Sequence, residues 1–127
     1  MTGTVREWIE KAEEDFHVAQ REHRARKNPS YDAVCFHAQQ CVEKLMKGLL
    51  IQRGTVPPKI HDLVRLNELL APVCPEWSWP VEELRLVSRS AVAFRYPGES
   101  ATKEDASEVL HKAKAMRTRL LNLLGAE

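Results

Sequence analysis

The sequence predicts an all-α protein: an antiparallel up-and-down four-helix bundle with an additional short helix. Three observations predict it. Apolar residues recur at spacings of three and four through five stretches, the period of an amphipathic helix. Pro, Gly and Asn separate those stretches, as helix ends require. No alternating apolar–polar run long enough for a strand interrupts them.

The first helix is expected over Val5–Glu22. Thr4 and Glu7 have capping-box spacing, which lets each side chain satisfy the other's backbone N–H. Val5, Trp8, Ile9, Ala12, Phe16 and Ala19 fall on one stripe. A basic tail of Arg21, Arg24, Arg26 and Lys27 leads to Asn28-Pro29. The second helix is expected over Pro29–Arg53, with Asn28 as N-cap and Pro29 at the first helical position. Val34, Cys41, Leu45 and Leu49 repeat along it, and Gly54 is its natural stop. Gly48 lies inside it, where glycine costs about 1 kcal/mol against alanine. A close helix–helix approach would explain that choice.

After Pro57-Pro58, a short third helix is expected over Asp62–Leu70, packing through Leu63, Leu66 and Leu70. Pro72, Pro75 and Pro80 then frame a rigid connector holding Trp77 and Trp79. The fourth helix is expected over Val81–Arg95, with Leu84, Val87, Ala91 and Phe94 inward. It ends at Tyr96-Pro97-Gly98, because proline disfavours helical geometry in the residue before it. The fifth is expected over Lys103–Leu124, with Thr102 as N-cap and Gly125 as terminator. Val109, Ala113, Met116 and Leu120 form its main stripe.

The 127 residues are expected to form one domain over 1–127. A net charge of +1 creates no global field, so any nucleic-acid site must be a local patch. Cys35, Cys41 and Cys74 form no CxxC pair and read as buried or idle thiols of a reducing cytosol. With no apolar secretory segment and no run near the ~20 residues of a membrane span, the expectation is a cytoplasmic protein without membrane contact. No Gly-rich phosphate loop, HExxH, nucleophile elbow or paired Cys/His zinc spacing occurs. Neither a metal nor a cofactor is therefore expected.

Four constellations could carry chemistry. On the second helix His37, Gln40 and Lys44 share one face, and Gln40, Glu43 and Lys47 follow the adjacent ridge. They are either a ligand-binding seam or a solvated face of local pairs. His61 and Asp62 either make an oriented base or cap the third helix, and capping suits Asp better. Arg95, at a helix end before a rigid Tyr96-Pro97 turn, could hold a phosphate or carboxylate bidentately. It could equally interact with the helix C-terminus. Lys112, Lys114, Arg117 and Arg119 form a basic stripe late in the fifth helix, after Glu104, Asp105 and Glu108. That order is what the helix dipole favours, and it competes with a nucleic-acid reading.

Taken in order, several of these pieces resemble the HEPN family of prokaryotic helical bundles. They are Ala12, Asp15 and Ala19; the run Phe36-His37-Ala38-Gln39-Gln40-Cys41-Val42-Glu43-Lys44; Gly54; His61-Asp62-Leu63; Arg95-Tyr96-Pro97; and Thr102 followed by Glu104-Asp105-Ala106. The resemblance covers nearly the whole chain. It implies a four-helix bundle that commonly forms a homodimer. Small members of this kind are often encoded beside a minimal nucleotidyltransferase, in pairs that look like toxin–antitoxin modules. It also implies metal-independent ribonuclease activity in many members, carried by an Arg followed after four to six residues by a His. Here the sequence departs from the pattern. From Arg95 the His would fall at 100, 101 or 102, which are Ser100, Ala101 and Thr102. No other Arg has a His at the required spacing.

Three functions follow as expectations. The first is a non-catalytic dimeric module binding a nucleotide or RNA through Gln40, Lys44, Lys47, Arg95 and Tyr96, and acting with a nucleotidyltransferase. The second is a divergent ribonuclease toxin using Arg95 with His61 or His37. The third is an oligomeric scaffold docking through Trp77 and Trp79.

Overall fold

A computed structural model describes residues 3–126. Residues 1, 2 and 127 of the single-domain expectation lie outside it. Five helices occur in order: α1 (Val5–Arg24), α2 (Tyr31–Gln52), α3 (Leu63–Leu70), α4 (Val81–Ala93) and α5 (Lys103–Leu124). No strand occurs among the described residues.

Helix α2 is the axis of the bundle, packed against each of the other four helices. Val34, Cys35, Ala38, Cys41, Val42, Leu45, Met46, Leu49 and Leu50 are all fully buried along it. A helix buried nearly all round is the central element of its layer. Gly48 of α2 faces α1, where an added Cβ would lie 3.3 Å from the Trp8 Cβ. The missing side chain lets the two helices approach closely, as expected.

The helix ends explain the boundaries. Thr4 and Glu7 form the expected capping box, and Glu7's carboxyl is held below its usual range by the backbone and hydroxyl of Thr4. Thr102 and Asp105 form a second capping box on α5. Three boundaries differ from expectation by two residues each, and two more, the end of α2 and the start of α3, by one. Helix α2 begins at Tyr31, with Ser30 rather than Asn28 as N-cap; the Ser30 hydroxyl accepts from Ala33 N at 3.2 Å. Asn28 takes a left-handed φ of 46°, which turns the chain but does not suit an N-cap, whose backbone is extended. Helix α1 therefore runs on to Arg24 before the turn. Helix α4 stops at Ala93, with Phe94 as C-cap, so Arg95 sits in the turn rather than the helix. After Arg53, Gly54 adopts a φ of 84°, the left-handed geometry that ends helices at low cost.

The core gathers Phe16, the α2 leucines, Leu63, Leu66, Leu70, Leu84, Met116 and Leu120. Trp77 is buried against it and donates to Asn67 Oδ1 at 2.7 Å, while stacking on Trp79 at 5.3 Å between ring centroids. Trp77 thus caps the core, and the half-buried Trp79 stacks on it and donates to Glu83 Oε1 at 3.1 Å. Three of the four cations in the basic stripe of α5 make internal bonds, and Lys114 is exposed. Arg117 grips Glu13 of α1 through Nε and Nη2 at 2.7 and 2.6 Å and lies 4.1 Å over the Phe16 ring. Those bonds push the Arg117 pKa up. Lys112 pairs with Glu83, and Arg119 donates to the Glu76 carbonyl. No basic residue stands in the last turn of α5, so tertiary pairing rather than the helix dipole places these cations.

Candidate functional site

Two carboxylates organise the polar residues of α2. Asp15 comes from α1 and is buried within that helix's apolar stripe. It accepts from His37 Nδ1 at 2.7 Å and from Lys44 Nζ at 2.6 Å. Glu43 belongs to α2 itself, and its side chain is only 4% exposed. It accepts from Lys47 Nζ at 3.0 Å, from Gln39 Nε2 at 3.1 Å and from His61 Nδ1 at 3.0 and 3.1 Å. Gln39 also donates to the His61 carbonyl at 2.9 Å, and Gln40 donates to Gln39 Oε1 at 2.8 Å. Among the described residues no buried side-chain nitrogen or oxygen is left unbonded. Dense satisfaction of this kind is what burying charge demands.

The seam is therefore neither a solvated face nor a row of free cations. Lys47 is 7% exposed and committed to Glu43, with Trp8 beneath it at 5.9 Å. Lys44 is committed to Asp15.

Beside the Glu43 cluster an open groove of about 810 Å³ runs between α2 and α4. Phe36, Gln39 and Gln40 form one wall, and Arg85, Ser88, Arg89 and Val92 form the other. The spacing of 85, 88, 89 and 92 on α4 is the helical repeat that puts four side chains on one face. His61 and Asp62 close the groove near α3, and Arg95 closes it near the turn after α4. Local bonds hold these ends. Leu63 N donates to Ser88 Oγ at 2.9 Å, and Asp62 caps α3 by accepting from Val64 N at 3.0 Å. Ala101 N donates to Asp32 Oδ1 at 2.6 Å, tying the segment after the Arg95 turn to the start of α2.

The groove's cations are unequal. Arg85 is paired with Glu82. Arg89 and Arg95 form no ion pair among the described residues, and the Arg95 guanidinium lies 5.4 Å over the Phe36 ring. Stacking orients a guanidinium while leaving its N–H fork available for an anion.

Comparison with known proteins bears on this arrangement. The HEPN domain matches residues 5–123. The chain belongs to the HEPN family. Within that family it is similar to "Putative toxin MJ1304" of Methanocaldococcus jannaschii, at 32% identity over 123 residues, 84% of this chain and 79% of that protein. Its fold is similar to that of TT1696 from Thermus thermophilus, with a TM-score of 0.75 and 25% identity over 94% of this chain and 97% of that one. It also resembles the fold of ST0689, an archaeal HEPN homologue, with a TM-score of 0.66 and 24% identity over the same shares.

In this HEPN chain the site residues expected from sequence separate into two groups. Gln40, Arg95 and His61 line one groove. Lys44, Lys47, His37 and Tyr96 do not line it. The first three of these are held by Asp15 and Glu43, and Tyr96 stands exposed beside Arg95. Sequence reasoning missed the hub roles of Asp15 and Glu43 and the groove cation Arg89. One signal for Asp15 was present. It lies three residues after Ala12 and four before Ala19, so its carboxylate falls on the buried face of α1. No helix of the described residues is long and apolar enough to cross a membrane.

Proposed function

We propose that this HEPN chain is a dimeric module that binds phosphate groups of a nucleotide or RNA in the α2–α4 groove. In this reading it acts with a minimal nucleotidyltransferase in a toxin–antitoxin-like pair. One observation carries it: two guanidinium groups, Arg89 and Arg95, stand at the groove without carboxylate partners. Unpaired arginines suit a phosphate, which accepts bidentate bonds. The similarity to a protein named as a putative toxin supports the wider setting. The test is fluorescence anisotropy of labelled single-stranded RNA and of ATP with Arg95→Ala and Arg89→Ala. Weakening by about 10-fold for each is expected from the loss of a charge-assisted contact. Unchanged affinity for both would remove the groove from the site.

A second reading, a divergent ribonuclease, is favoured by one feature. His61 is on the groove with its ring held by a buried carboxylate. His37, the other candidate, is closed onto Asp15 and does not line the groove.

A further inference from the structure

A second open cleft, of about 790 Å³, shares no residue with the α2–α4 groove. Three parts of the chain line it. The end of α1 and the turn after it bring His23, Arg24 and Arg26; the start of α2 brings Pro29 and Tyr31; α5 brings its first residue, Lys103. Two cations of the basic tail that ends α1 thus meet a third, which folding carries in from α5.

These cations have no counter-charge. None of Arg24, Arg26 and Lys103 forms an ion pair among the described residues. The acids close to them in the chain are taken by backbone amides. Glu22 accepts from Ser30 N, Asp32 from Ala101 N at 2.6 Å and Asp105 from Thr102 N at 2.9 Å. Glu104 is exposed, and adjacent residues of a helix do not face each other, so it does not cover Lys103. His23 is bonded through Nε2 to Ser107 Oγ at 2.8 Å and brings no negative charge.

Local rules account for only one of the three. Arg24 stands in the last turn of α1, where the helix dipole favours a cation. Lys103 is the reverse case, a cation at the first position of α5, where the dipole disfavours it. Arg26 belongs to neither helix. Three like charges lining one cleft also repel one another. A local rule broken with no compensating contact is the expected mark of a functional site.

We propose that this cleft binds an oligophosphate, a chain of two or more linked phosphates, between α1, α2 and α5. Such a chain is extended and multiply charged, so it reaches cations carried by three separate elements, which a single phosphate does not. Arg24 and Arg26 present planar forks to phosphate oxygens, and Lys103 adds a compact point charge. The positive end of α5 adds to the attraction. The volume lies within the range of about 300–1,000 Å³ typical of small-molecule sites. Two sources carry this chemistry: a free inorganic oligophosphate and the phosphate chain of a nucleoside triphosphate. The half-buried Tyr31 offers a ring to the base in the second case only.

The experiment is isothermal titration calorimetry of the full chain in EDTA, with tripolyphosphate, orthophosphate and ATP as probes. It is repeated in an Arg89→Ala/Arg95→Ala background, which removes the unpaired cations of the groove and so separates the two sites. In both backgrounds tripolyphosphate is expected to bind at least about 10-fold more tightly than orthophosphate, and Arg26→Ala and Lys103→Ala are each expected to weaken it about 10-fold. Lys114→Ala removes an exposed α5 cation that does not line the cleft and is expected to change affinity by less than about two-fold. ATP binding at least as tightly as tripolyphosphate identifies a nucleotide as the source, and weaker ATP binding identifies the free anion; both orders support the site. Absence of tripolyphosphate binding in the Arg89→Ala/Arg95→Ala background overturns the proposal, as does orthophosphate binding equally well. Equal weakening by Lys114→Ala shows a response to net charge alone and also overturns it. A stability measurement needs no ligand. Lys103→Glu relieves the conflict with the dipole and is expected to raise the thermal midpoint of the free protein by about 1–3 °C while abolishing tripolyphosphate binding. A lowered midpoint would make Lys103 a structural cation and end the proposal.

Discussion

Two carboxylate–histidine–lysine clusters involve helix α2, the Glu43 cluster adding Gln39, and they behave differently. Asp15 binds one histidine and one lysine, His37 and Lys44; Glu43 binds one histidine and one lysine, His61 and Lys47. The Asp15 cluster joins two helices and turns its bonds inward, leaving the His37 side chain 29% exposed. The Glu43 cluster joins a helix to a loop and leaves its imidazole at the mouth of a groove. A carboxylate, an imidazole and an ammonium group make a fastener in one place and present an exposed imidazole in the other. What differs is the element that carries the histidine: a helix packed between neighbours for His37, and a loop ahead of α3 for His61.

The strongest way to break this comparison is to remove each hub. Glu43→Ala leaves Lys47 as a buried charge without a carboxylate and is expected to destabilise by roughly 3–5 kcal/mol. Asp15→Ala strands partners that are better hydrated, and about 2–3 kcal/mol is expected from the lost charge-assisted bonds. Urea unfolding followed by circular dichroism measures both. Equal losses would mean that the two clusters are equally buried in practice.

The histidines sharpen the contrast. His37→Ala is expected to cost about 1–2 kcal/mol, because it breaks a bond to a buried carboxylate between helices. His61→Ala is expected to cost under about 1 kcal/mol, since an exposed loop residue loses little packing. If His61→Ala proved the more damaging of the two, its ring would be a structural staple and not a presented group.

The smallest expected effect lies away from both hubs. Cys35 is buried on α2 beside Asp105 and Asp32, and burial first, then those charges, push its thiol up to about 12; burial likewise raises Cys41. Native protein at pH 8 is therefore expected to resist iodoacetamide and to react at all three cysteines once unfolded. The sign for stability follows from the same shift. The folded state holds the Cys35 proton above the usual thiol range, so stability is full below about pH 8.5 and falls as pH rises toward 12. Cys35→Ala should flatten that alkaline limb in thermal melts.

Much of this architecture was legible from local rules. Thr4–Glu7, Thr102 and Gly125 mark helix ends through backbone bonds that involve only near neighbours, and the structure places those ends where the spacing predicts. The misplaced ends, Asn28 and Arg95, both lie at Pro-containing turns, where two local rules compete. The candidate site was less legible. Gln40 and Arg95 fall on one groove, whereas Lys44 and Lys47 turn away from it to carboxylates. Periodicity assigns a residue to a helix face, but it does not say which carboxylate another helix brings to that face.

The sequence by itself determined the number, order and approximate length of the helices, because capping, periodicity and breaking act over a few residues. Only the tertiary structure decided the fate of the polar side chains. Whether Lys47 is a free cation or a buried partner, and whether His61 is idle or held, depends on groups many residues away along the chain. Those groups meet only when five helices pack. A charge taken out of water must find a counter-charge in the arrangement that results, as Lys47 finds Glu43, whereas the exposed Arg89 and Arg95 need none.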